Sequence, residues 1–288
     1  MALDLRWNRS PDYRHRRLEP ARIYAGMGGG ICRSLDSGQT WTKVIGDAPV
    51  RRLVIDPANP AILYGGSAGA VYKSLDSGLN WTKSSSGLAG SCTGFLVTPA
   101  RLYFGSTAGV FRCEDGGSTW SESDLQMSAT KILAFASGAS SPNTIYAAVK
   151  IPTTGNGAVN KSTDAGTSWT PLPFTLYCDI PSAKILVHPW DSNVLWIRDR
   201  DLWKSTDGGS TWRGLPARNI LDDLSNVAVS QSRPDHLFIC GTDHTYQGNS
   251  PFMAFERSVD GGTSWSYYPV TSARSSASAL AVDPGDQV

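Results

Sequence analysis

Residues 205–212 read Ser205-Thr-Asp207-Gly-Gly209-Ser-Thr211-Trp212, and the same eight-residue pattern stands at five other places in the chain. The other copies run Ser34–Trp41, Ser74–Trp81, Cys113–Trp120, Ser162–Trp169 and Ser258–Trp265. An aspartate is third in every copy (Asp36, Asp76, Asp115, Asp164, Asp207, Asp260), a glycine is fifth, and a tryptophan is eighth (Trp41, Trp81, Trp120, Trp169, Trp212, Trp265). Such a segment has the chemistry of a self-contained hairpin turn. The short aspartate folds back to accept backbone N–H groups, the glycine supplies a positive φ, and the hydroxyls occupy neighbouring polar groups. The tryptophan opens the following strand and carries a large face to bury between sheets. Only the third copy departs from the opening serine, with Cys113, a weaker donor.

Working outward from the second copy, Arg52 to Pro57 reads as an inner strand, Ala61 to Gly66 as a second, Ala70 to Ser74 as a third, and Trp81 to Lys83 as the outer one. That unit is a four-stranded meander. Comparable inner strands begin at Gly94, Lys131, Lys184 and Asn226. The repeat aspartates lie 40, 39, 49, 43 and 53 residues apart, the interval of a propeller blade. About one further blade length, 44 residues, is divided between the two ends of the chain. The reading is therefore all-β: a six-bladed β-propeller over residues 21–288, its closing blade shared by the N- and C-terminal segments, preceded by a basic extension over 1–20. The shared blade would take its inner strand from Ala279 to Pro284 and its other three strands from Arg22 onward, leaving no open sheet edge. The rival closure uses Leu3 to Trp7 as that inner strand, and gives Ala279 to Val288 no role.

Composition narrows the function classes. The 288 residues are 40% hydrophobic with a formal charge of +1, which excludes a disordered chain and a uniformly basic nucleic-acid binder. Aspartates and Glu19 interrupt the arginines of the extension, so it carries no specific nucleic-acid signal. No apolar run is long enough to span a membrane, and no apolar leader opens the chain, which reads as cytoplasmic or as an exported protein trimmed of its signal. The five cysteines (Cys32, Cys92, Cys113, Cys178, Cys240) are scattered and show no metal-ligand spacing, so buried thiols, no metal and no cofactor are expected.

On these six copies the chain resembles the BNR or Asp-box repeat superfamily. That resemblance implies the propeller fold. Superfamily members include sialidases, xyloglucan-cleaving glycoside hydrolases, the sortilin receptor domain and a photosystem assembly factor, so it implies no single chemistry. A Phe-Arg-Ile-Pro-like segment, which sialidases would share, is absent, and the basic run Tyr13 to Arg17 lies in the extension.

Propeller geometry puts ligands over the channel, on the face carrying the second-to-third-strand loops and the blade connections. Equivalent inner-strand positions form a ring of Ala279, Arg52, Gly94, Lys131, Lys184 and Asn226, with the Lys131 alignment open by a residue or two. Three of these are basic and none is acidic, so the mouth would focus an anion-attracting field. Two long loops on that face, Lys150 to Gly157 and Thr242 to Pro251, add Asp243, His244 and Tyr246 as candidate binding residues. Glycoside hydrolysis would need two converging carboxylates, and Asp179, Asp222, Asp223 and Asp243 show no pairing by spacing. The aromatics Phe174, Tyr177, Tyr246, Phe252, Tyr267 and Tyr268 could stack on sugars or pack the loops. The expected function is a non-enzymatic binding or assembly propeller, monomeric, that recognises a protein or a glycan or anionic ligand. The alternative is a carbohydrate-active hydrolase.

Overall fold

The computed structural model describes residues 22–36, 39–46, 48–123, 131–138, 140–151, 154–177, 183–199, 201–215, 223–230, 232–243 and 252–269. These form six antiparallel sheets in chain order, and no helix. The first holds β1 (Ile23–Met27), β2 (Gly30–Ser34) and β3 (Thr42–Gly46). The second holds β4 (Arg52–Ile55), β5 (Leu63–Gly66), β6 (Val71–Ser74) and β7 (Thr82–Ser84), and the third β8 (Cys92–Val97), β9 (Leu102–Ser106), β10 (Gly109–Cys113) and β11 (Ser121–Glu122). The fourth is β12 (Lys131–Ser137), β13 (Ile145–Lys150), β14 (Gly157–Ser162) and β15 (Thr170–Leu176). The fifth is β16 (Lys184–His188), β17 (Asp191–Arg198), β18 (Leu202–Ser205) and β19 (Arg213–Gly214). The last is β20 (Asp223–Val229), β21 (Leu237–Asp243), β22 (Phe252–Ser258) and β23 (Ser266–Pro269).

Each sheet is a meander whose first strand touches the first strand of the next: β4 meets β8, β8 meets β12, β12 meets β16 and β16 meets β20. The first strand also meets the second strand of the sheet before it, as β8 does β5 and β16 does β13. In the first sheet it is β1 that meets β4, so β1 holds the second-strand place of its blade. The expected innermost strand, Ala279 to Pro284, and its rival, Leu3 to Trp7, both lie outside the described residues. So does the extension over 1–20.

Second strands lie between neighbouring sheets and bury both faces. All of β5 and β9 is buried, which is why Leu102-Tyr-Phe-Gly-Ser106 is nearly continuous in its apolar character rather than alternating. The later second strands are buried in the same way, with Ile145, Leu195, Ile197, Leu237 and Ile239 all inaccessible.

The repeat turns are built as their residue types dictate. In the fifth, Ser205 Oγ donates to Asp207 Oδ1 at 2.8 Å and accepts from Gly209 N at 2.8 Å, while Asp207 takes the N–H and hydroxyl of Thr211 at 2.9 and 2.6 Å. Gly209 sits at φ 90°, a region that L side chains avoid. Cys113 reproduces the opening serine with sulfur: its Sγ donates to Asp115 Oδ1 at 2.9 Å and accepts from Gly117 N at 2.9 Å. The tryptophans are less uniform than expected. Trp169 is 2% exposed with Nε1 donating to Ser123 O at 2.6 Å, whereas Trp41 is 45% exposed in the first sheet. The outer strands also begin one residue after the tryptophan, at Thr82 and Thr170 for example.

Candidate binding site at the inner-strand mouth

Register decides which side chains ring the channel. Arg52 pairs with Gly66, Gly94 with Gly105, Lys184 with Arg198 and Asn226 with Cys240. Each of those partners stands two residues beyond the aromatic of its second strand, Tyr64, Tyr103, Trp196 or Phe238. In the fourth sheet that position is Ala148, two beyond Tyr146, and its partner is Ala134. Ala134 is therefore the equivalent of Arg52. A register irregularity between Ile132 and Ala134 displaces Lys131 further along, opposite Lys150.

Lys131 nevertheless reaches the same space as Arg52. A recess of about 550 Å³ is lined by Arg51, Arg52 and Lys131, by Ser91, Thr93 and Thr107, and by Met27, Val50 and Cys92, with no carboxylate among its walls. The exposed Arg52 side chain crosses from the second sheet to the third: its Nε donates to Thr93 O at 2.9 Å and its Nη1 to Arg51 O at 3.1 Å. Ser91 N donates to Thr107 Oγ1 at 3.1 Å, which orders the opposite wall. Cys92 forms part of the floor. Burial pushes its thiol up to about 12, against the opposing pull of Arg52 and Arg51, so it is a neutral packing group and not a nucleophile. Three cations, with the Ser91 and Thr107 hydroxyls beside them, around one open recess can hold a carboxylate or another oxyanion. Sequence reasoning missed Arg51, although the Arg51-Arg52 dipeptide at the head of an inner strand was its signal.

Lys184 is not among the residues that line this recess. Lys184 is only partly exposed, and burial lowers its pKa, with Arg198 directly opposite as the second cause. Arg198 is 1% exposed, and burial lowers its pKa too, against the pull of neighbouring Asp199. Asn226 pairs with Cys240 and Asp243 with Phe252 in backbone register. His244, Tyr246, Asp179 and Asp222 lie outside the described residues. Lys150 and Gly157 pair across the root of the first long loop, and one step further in Ile151 N donates to Asn156 O at 2.7 Å. No group of three or more His, Cys, Asp or Glu side chains that could hold a metal occurs among the described residues.

Taken together, fold and site define a six-bladed β-propeller with a basic recess beside the inner strands. Comparison with solved structures agrees with the fold. The chain superposes on the GH74 xyloglucanase of Xanthomonas campestris with a TM-score of 0.65 at 21% identity, covering 88% of this chain and 44% of that one. The GH74 enzyme of Niastella koreensis gives 0.67 at 21%, covering 86% and 43%. YCF48 bound to D1 peptide gives 0.61 at 16%, covering 88% and 79%, and YCF48 from Cyanidioschyzon merolae gives 0.61 at 14%, covering 89% and 84%. The chain thus spans under half the length of these xyloglucanases and about four-fifths of YCF48. No family model matches the sequence, and no curated protein does.

Proposed function

We propose that the chain is a non-enzymatic binding or assembly propeller of the BNR or Asp-box type, which takes an anionic group of a protein segment or ligand into the recess of Arg51, Arg52 and Lys131. The observation that carries this reading is local charge. The chain as a whole is nearly neutral, with 26 basic and 25 acidic residues, yet three cations and no carboxylate line this one space. The likeness to YCF48, solved with a D1 peptide, is consistent with a propeller of this shape accommodating a polypeptide. No pair of described carboxylates converges in the recess, which weighs against glycoside hydrolysis there.

The discriminating experiment presents the protein with an acidic peptide bearing a free C-terminal carboxylate, the same peptide amidated and neutralised, and xyloglucan. Binding of the acidic peptide alone supports the proposal. Release of reducing sugar from xyloglucan would replace it with the hydrolase reading.

A further inference from the structure

Arg52 opens β4 at the basic recess, and Ile55 closes it at the opposite end, where the register runs from Ile55 through Leu63 to Ser74, the first residue of the second turn. Over the first two sheets this turn end is apolar. Leu35 and Leu75 hold the second position of the first and second turns, Leu79 the sixth position of the second, and Ile55 the strand end beside it; the four are 47% to 65% exposed. Turn chemistry does not ask for leucine there. The second position is Glu114, Thr163 and Thr206 in the third, fourth and fifth turns, and the sixth is Gln39, Ser118, Thr167, Ser210 and Thr263 in the other copies. Val259 in the last sheet, next to the first around the ring, shares the apolar choice. The two leucine-bearing turns adjoin, because Tyr24 Oη and Arg33 Nη1 of the first sheet donate to Ser77 O at 2.8 and 3.2 Å, and Ser77 lies between Leu75 and Leu79. Contiguous exposed aliphatic side chains of this kind mark a contact surface.

The point where the chain enters the first sheet indicates what covers this surface. Arg22, the first described residue, is fixed to the same turn, with Nη1 donating to Ser77 Oγ at 3.1 Å. The basic extension is therefore delivered to the patch itself. Its run from Trp7 to Leu18 sets Trp7, Tyr13 and Leu18 among Arg9, Arg14, Arg16 and Arg17. The patch has the matching alternation, since Asp36, Asp56 and Asp76 directly follow Leu35, Ile55 and Leu75. Hydrogen bonds inside the turns keep Asp36 and Asp76 ionised down to about pH 2, so the patch is edged with fixed negative charge. Apolar and charged groups thus correspond on the two sides. From Trp7 to Arg22 the chain reaches about 50 Å when extended, enough to cross both turns.

We propose that the patch of Leu35, Ile55, Leu75 and Leu79 is the docking surface of the chain's own basic extension, residues 7–18, whose apolar side chains cover the leucines while its arginines face the aspartates beside them. Limited trypsin digestion of the full chain, read by mass spectrometry at Arg9, Arg14, Arg16 and Arg17, tests the assignment. The native chain is compared with the triple variant Leu35→Thr, Leu75→Thr, Leu79→Ser, with Leu75→Thr alone, and with a synthetic peptide of residues 1–22. Threonine and serine already stand at these positions in other turns, so the variants keep the turn chemistry. Thermal melting checks that each one folds.

The expected result is cleavage on the order of tenfold slower in the native chain than in the peptide, close to the peptide rate in the triple variant, and intermediate in Leu75→Thr, at every protein concentration. If the triple variant does not fold, Leu75→Thr carries the test. Cleavage of the native chain as fast as the peptide would overturn the proposal. So would protection that survives the substitutions, which would seat the extension elsewhere, as an inner strand for example. Protection that rises with protein concentration, together with a dimer in sedimentation that the substitutions dissolve, would give the patch to a second copy and overturn it as well.

Discussion

Lys73 reaches across the boundary between two sheets and donates a 2.6 Å hydrogen bond from Nζ to the carbonyl oxygen of Gly116. The contact recurs around the ring. The residue before every repeat turn is basic (Arg33, Lys73, Arg112, Lys161, Lys204, Arg257), and each pairs in register with an aromatic of the second strand (Tyr24, Tyr64, Tyr103, Tyr146, Trp196, Phe238). Arg33, Lys161 and Lys204 also donate to the fourth residue of the next turn, at Ser77 O, Gly208 O and Gly261 O. Where the donor is lysine the acceptor is glycine, and a Cβ on Gly208 or Gly261 would stand 2.6 Å from the lysine Nζ. Where the preceding strand supplies arginine, the turn carries Ser77 or Ala165, both at positive φ. Arg112 is displaced onto Thr167 Oγ1 at 2.8 Å, and Arg101 and Tyr103 take the Ala165 carbonyl instead.

This pairing predicts coupling between blades. Gly208→Ala, strained at φ 70° and crowded by Lys161, should cost about 1–2 kcal/mol. Lys161→Arg should recover part of that cost, giving a coupling of about 0.5 kcal/mol or more in a urea-denaturation cycle. Additive losses would show that the two residues do not sense each other. Arg257 and Ser37 continue the arginine rule in sequence, but Ser37 lies outside the described residues.

The tryptophans that close the turns should differ in energetic weight despite their identical place in the repeat. Trp169 is 2% exposed and hydrogen-bonded through Nε1, so Trp169→Ala should cost about 3–5 kcal/mol. Trp41, 45% exposed, should cost less than about 1.5 kcal/mol. Equilibrium unfolding of the two variants checks the order, and equal losses would contradict the burial seen here.

Acid should attack the turns. Hydrogen bonds from the seventh residue hold Asp36, Asp76, Asp164 and Asp207 at about 2, led by the side-chain hydroxyl at Asp36, Asp164 and Asp207 and by the Asn80 backbone N–H at Asp76. An unfolded aspartate titrates near 3.9, so the folded turns bind fewer protons between those values. Their contribution is complete above about pH 5 and is lost as pH falls from about 4 through 2. The melting temperature should be level from pH 7 to 5 and fall steeply below 4, less steeply in Asp207→Asn. A main loss between pH 7 and 5 would place the sensitive groups elsewhere.

Cys113 tests the turn chemistry from the other side. Cys113→Ser should keep the third turn intact, because serine makes the same two bonds at 2.8 Å in the neighbouring copies. Cys113→Ala leaves the Gly117 N–H without its acceptor and should cost about 1–3 kcal/mol. Equal stability of the serine and alanine variants would show that the thiol is only filling space.

Much of the fold was legible in the sequence because a turn that satisfies itself locally leaves its signature in consecutive residues. The inner strands read from Arg52, Lys131 and Lys184 begin where the structure begins them. The site was less legible because it depends on register. The irregularity before Ala134 moves Lys131 off the position that strand alignment assigned to it, yet Lys131 lines the same recess as Arg52. Lys184 was right in alignment but stands beside Arg198, which no local pattern pairs with it.

The proposed function stands on attraction of an anion by the recess of Arg51, Arg52 and Lys131. The most direct measurement is the dissociation constant of the acidic peptide at about 50 and 500 mM salt, for the native chain and for Arg52→Ala and Lys131→Ala. Screening shortens the field's reach from roughly 14 to 4 Å across that range. Binding should weaken with salt in the native protein, weaken in each variant, and lose much of its salt dependence in both. Binding that ignores the salt and both substitutions would contradict the claim.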